Sequence, residues 1–80
     1  MHLCITGFLP DNTEDDLVKF DFKVDAVFND LIVKYLGHRS LNAMAEGEWL
    51  LTSEQVAELS SIIGQPLPDD LTMFIGLEAG

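Results

Sequence analysis

Positive charge is scarce in this sequence: four Lys/Arg stand against fourteen Asp/Glu among 80 residues, a formal net charge of -10 at pH 7. A surface of that sign repels phosphate backbones and anionic lipid and attracts basic partners, so direct nucleic-acid or membrane binding is not expected. Cysteine is scarcer still. Cys4 alone closes no internal disulfide, and Met1 is followed by neither a basic region nor a long apolar run, so the expected compartment is a reducing cytoplasm. The longest uncharged apolar stretch, Leu71 to Leu77, falls far short of the roughly 18–20 residues needed to cross a bilayer. A glycine-rich phosphate loop, internal repeats and linkers long enough to separate domains are also missing, which leaves one domain, 1–80, without a nucleotide site.

Apolar residues make up 48% of the chain and charged residues only 22%, enough aliphatic and aromatic surface to offset ordering entropy, unlike a disordered acidic tail. Leu3 to Leu9 reads as a strand stopped by Pro10-Asp11-Asn12. Val18, Phe20, Phe22 and Val24 alternate with Lys19, Asp21 and Lys23, the period of two of a half-buried strand. Asp25 is placed to cap a helix from about Ala26 to Leu36, with Val27, Phe28, Leu31, Ile32, Tyr35 and Leu36 as its apolar stripe. Asn29, Asp30 and Lys34 are expected to face outward, and Gly37 to end the helix.

From His38 to Gly47 the pattern is that of a loop with one helical turn, and Glu48 to Leu51 that of a short strand. Thr52 followed three residues later by Gln55 matches a capping box opening a second helix, whose stripe is Val56, Leu59, Ile62 and Ile63 and whose end is Gly64. After the proline-bearing connector, Leu71 to Leu77 suits a strand covered on both sides. The order β-β-α-β-α-β predicts an α+β fold in two layers, a four-stranded mixed sheet with both helices on one face.

Candidate chemistry is thin. His2 and Cys4 share one side of a strand, but a structural zinc normally takes four protein ligands. A terminal His that frays and a small buried thiol account for them more simply. The loop Asp11, Glu14, Asp15 and Asp16 lacks the spacing, central Gly and closing Glu of an EF-hand, so it reads as a negative hairpin tip. Cys4 with His38 forms no nucleophile signature, and a thiol inside an apolar strand reacts poorly. The expectation is a protein that is not an enzyme and holds no cofactor or metal. Trp49 alternates with Leu51, which favours a core position, although at the sheet margin beside Glu46 and Glu48 it would serve as an aromatic anchor.

In size, charge and order of elements the chain resembles the small acidic immunity proteins that neutralise bacterial toxins of the colicin, pyocin and contact-dependent inhibition type. It is more loosely similar to small bacterial proteins with a strand hairpin, two helices and a closing strand like Phe74-Ile75-Gly76-Leu77-Glu78-Ala79. It departs from them where several positions usually aromatic in that strand are small or aliphatic. The resemblance implies an inhibitor that occupies a basic toxin domain such as a nuclease, with carboxylates steering association and an apolar centre, Trp49, Tyr35 or Phe8, holding the complex. The contact residues expected are Asp11, Glu14, Asp15, Asp16, Glu54, Glu58, Asp69, Asp70 and Trp49. Two alternatives stay open: a phage-encoded anti-defence protein that mimics nucleic acid to block a nucleic-acid-binding complex, and a subunit whose sheet face pairs with itself.

Overall fold

The fold is that of a computed structural model, which describes residues 1–10 and 17–78. The element order is β1 (His2–Phe8), β2 (Phe20–Lys23), a 3-10 turn (Ala26–Phe28), α1 (Asn29–Leu36), a second 3-10 segment (Asn42–Glu46), β3 (Trp49–Leu50), α2 (Ser53–Ile63) and β4 (Thr72–Glu78). The two 3-10 segments are additions to the expected order. The strands form one sheet in the order β2-β1-β4-β3, and every pairing is antiparallel.

The antiparallel pairing corrects the expected mixed sheet. Had β3 and β4 been parallel neighbours, α2 would have been their crossover, but the connector Gln65 to Leu71 changes the geometry. Its seven residues reach up to about 23 Å when extended, more than the roughly 16 Å spanned by the eleven residues of α2. The chain is therefore long enough to run back past the helix and enter β4 from the opposite end.

β1 and β4 are the central strands, paired from His2↔Glu78 to Phe8↔Thr72. Alternation sends Leu3, Ile5, Met73 and Ile75 into the core, where they meet Ile32 and Val33 of α1, Val56 and Leu59 of α2, and Val24, Met44 and Leu51. Gly7 lies on this inward side beside Phe20 and Met73. A Cβ there would stand 2.8 Å from Met73 Sδ, 2.9 Å from Leu71 Cδ1 and 3.2 Å from Phe20 Cβ, so the core closes over the space that glycine leaves.

Helix ends follow the sequence closely. Asp25 Oδ1 accepts from the Val27 amide at 3.0 Å, capping the 3-10 turn that leads into α1. Thr52 and Gln55 form the reciprocal capping box: the Gln55 amide donates to Thr52 Oγ1 at 3.1 Å, and the Thr52 amide to Gln55 Oε1 at 2.9 Å. Gly64 ends α2 at φ 66°, a left-handed conformation that costs other residues more.

Four local expectations need correction. Val18 lies outside β2 and is half exposed: the pairing of β2 with β1 runs from Cys4↔Lys23 to Gly7↔Phe20 and ends two residues short of Val18. Asn29 is buried with Oδ1 unpartnered, where an outward position was expected. Val27, Leu31 and Tyr35, assigned to the buried stripe of α1, are 73%, 58% and 39% exposed, because the buried centre of this helix lies along Phe28, Asn29, Ile32, Val33 and Leu36. His2 is also no frayed terminus: it pairs in β1 opposite Glu78.

Candidate partner-binding surfaces

Local forces distribute the expected contact residues over separate parts of the fold. Asp11, Glu14, Asp15 and Asp16 lie outside the described residues. Glu54 and Glu58 are exposed one turn apart on α2, because the capping box fixes the helix phase and Val56 and Leu59 take the inward positions. Asp69 and Asp70 are exposed in the bend before β4. Neither α2 carboxylate is ion-paired among the described residues.

Trp49 is half-buried and packs against the core, paired in register with Ile75. Its indole N–H donates to the Met44 carbonyl at 3.2 Å, and its ring meets the His38 imidazole at a centroid distance of 4.7 Å. Those contacts tie the second 3-10 segment to the sheet. Leu50, one residue on, turns the other way and is 64% exposed, as alternation requires.

The outward face of the sheet carries His2, Cys4, Thr6 and Phe8 of β1 beside Glu78, Gly76, Phe74 and Thr72 of β4. Phe8 and Phe74 make an edge-to-face pair at 5.8 Å. An open cleft of about 240 Å³ is lined by Cys4, Thr6, Ala45, Gly47, Glu48, Gly76, Leu77 and Glu78, smaller than the roughly 300–1,000 Å³ of ordinary ligand pockets. His2 Nε2 and Glu78 Oε2 stand 3.3 Å apart at the end of this face, within ion-pair range though not aligned as a hydrogen bond.

Cys4 is buried, and its Sγ donates to Asp21 Oδ1 at 3.0 Å. Burial, then that hydrogen bond, then the negative charges of Asp21 and Glu78 push the thiol up to about 12. It is therefore protonated at neutral pH and is no activated nucleophile. Among the described residues no three or more His, Cys, Asp or Glu side chains gather as a metal site would require.

Charge is divided unevenly along the chain. After Arg39 there are seven Asp/Glu and no Lys/Arg, so the segment leading into β3, α2, the connector and β4 hold carboxylates without a cation of their own. Tyr35 marks where α1 meets this half: its hydroxyl is pushed above the ordinary tyrosine value, first by desolvation, then by the charges of Glu58 and Glu54. α1 packs against α2, which sets Tyr35 within reach of the Glu54 and Glu58 charges, and separately Glu48 and Glu78 both line the cleft. Sequence reasoning missed the exposed side of α1. The signal was available in the width of its apolar arc, which exceeds what one packed face can cover.

No family model, curated protein or solved structure matches the chain. Among the described residues no helix is long and apolar enough to cross a membrane.

Proposed function

We propose that this chain is an immunity-type inhibitor that binds and neutralises a basic toxin domain, a nuclease being the class whose phosphate-binding cations best suit it. The observation that carries the reading is the uncompensated carboxylate half of the molecule after Arg39. A nuclease presents Lys and Arg to phosphates, and a rigid array of carboxylates competes for that surface while speeding encounter. The reading takes the two helices to cover one sheet face in two layers, in the cytoplasm, as a non-enzymatic binder without cofactor. Protonated Cys4 is consistent with an absence of thiol chemistry.

Co-purification from the native host tests the proposal. The expected result is a basic protein that travels with the chain, loses its activity at equimolar ratio, and associates more slowly as salt rises. Recovery of only neutral or acidic proteins, or of a basic partner whose activity is untouched at equimolar ratio, overturns it.

A further inference from the structure

The apolar residues of the run from Ala26 to Leu36 cover more of the helix circumference than the core can bury. Successive helical positions are about 100° apart, so residues four apart step round by about 40°. Tyr35 and Leu31 are such a pair within α1, and Val27, in the 3-10 turn that leads into it, continues the same edge; exposure climbs from 39% to 58% to 73% from Tyr35 through Leu31 to Val27 as the chain turns away from buried Ile32. The surplus is an uncovered stripe about two turns long on a helix that packs beside α2, and the charges of Glu54 and Glu58 on α2 reach its Tyr35 end.

We infer that this stripe, with Glu54 and Glu58 beside it, is the docking surface for an amphipathic basic helix of the partner, seating apolar side chains on Val27, Leu31 and Tyr35 and Lys/Arg against the two carboxylates. The inference rests on the proposed basic partner and names where it binds. Charge selects this occupant. A second copy of the chain would bring another net charge of -10 and its own Glu54 and Glu58 to the stripe, and like charges across an interface cost affinity. A basic helix supplies cations where α2 has none, and an apolar centre rimmed by charge is the arrangement in which anchors hold and rim carboxylates steer. Lys34 lies on the same helix, next to the stripe, and sets a local preference for an acidic or neutral group at that point of the partner.

The test is titration of the isotope-labelled full chain with three synthetic peptides, followed by amide chemical shifts. One carries Leu at helical spacing (i, i+3, i+4, i+7) with Lys between; a second has the same composition in strict alternation; the third replaces Lys by Glu. The expected result is binding of the first alone, with shifts clustered on α1 and the first two turns of α2, weakened about tenfold or more by Leu31→Glu and by Glu58→Lys. Both substituted positions are exposed, and an unchanged far-UV spectrum verifies the fold. Equal binding of both Lys peptides, or shifts around Asp69 and Asp70 or Glu46 and Glu48, overturns the docking surface while leaving the basic-partner reading intact. No binding of either Lys peptide at low salt also overturns the docking surface, and the partner reading is then judged by the co-purification alone. A dimer that Leu31→Glu dissolves overturns the choice of occupant in favour of a second copy.

Discussion

Neighbouring positions on β4 should differ sharply in energetic weight, against the ranking that side-chain size gives. Ile75 is fully buried between Ile5 and Trp49 in register, whereas Phe74 is half-buried on the outward face with Phe8 as its aromatic neighbour. Truncating a buried Ile to Ala costs about 2–5 kcal/mol through lost transfer energy and the cavity left behind. A half-buried Phe forfeits about half of the 3–5 kcal/mol of a core Phe, a figure that already includes its edge-to-face contact, so Phe74→Ala should cost about 1.5–2.5 kcal/mol. The whole domain is held by roughly 4–12 kcal/mol at 0.05–0.15 kcal/mol per residue, so Ile75→Ala could consume most of it. Ile75→Val, at about 0.5–1.5 kcal/mol, keeps the comparison measurable if the Ala variant does not fold. Urea unfolding followed by Trp49, the single tryptophan, reads both through the shift in midpoint. If Phe74→Ala proved as costly as Ile75→Ala, the outward face would have to be covered, and the assignment of a core side and an open side would fail.

Removing the α2 cap by Thr52→Ala should cost about 1 kcal/mol and lower the thermal midpoint by roughly 4–8 °C, while Thr52→Ser retains most of the stability; calorimetry distinguishes them. Gly7→Ala should cost about 1–3 kcal/mol, because the new methyl meets Met73 and Leu71 inside 3.0 Å and Phe20 offers a backbone-anchored carbon that cannot swing away; denaturant unfolding measures it. Raised from 9.0 to about 12, the Cys4 thiol favours the folded state below pH 9, and that contribution disappears as pH climbs toward 12. Thiolate absorbance should therefore rise at markedly higher pH in the folded chain than in denaturant, and Asp21→Asn should bring the folded titration down.

Where local chemistry dictates conformation, the sequence was sufficient. Asp25, Thr52 with Gln55, Gly37 and Gly64 each solve a helix-end problem within a few residues, and all four sit where their side chains or lack of one predict. Alternation likewise placed Trp49, Leu50 and Leu51 correctly on their two sides. What failed was long-range. Strand direction between β3 and β4 depends on how seven connector residues travel, and periodicity carries no record of that path. The stripe of α1 misled for a related reason: six apolar positions marked an apolar sector without saying which part of it the sheet would reach, and the tertiary contacts chose the part centred on Ile32. The acidic residues of α2 were legible as exposed, but only the packing of α1 beside α2 shows that they flank Tyr35.

That adjacency changes what the surplus of negative charge is able to do. Carboxylates alone accelerate encounter with any cationic surface and are screened within about 8–10 Å at ordinary salt, so they discriminate poorly among basic partners. Apolar side chains alone bind without regard to sign. Placed together, as at Tyr35 with Glu54 and Glu58, each limits the other's promiscuity: the apolar stripe rejects a cationic surface that has nothing to bury, and the carboxylates reject an apolar surface that brings no positive charge. Asp69 and Asp70 carry the same charge as the α2 pair, but they lie in the bend before β4. Reversing them should slow association without altering which peptides bind, whereas Leu31→Glu should erase the preference for a helically patterned peptide over an alternated one. A preference that survived Leu31→Glu would mean that selectivity resides elsewhere on the molecule.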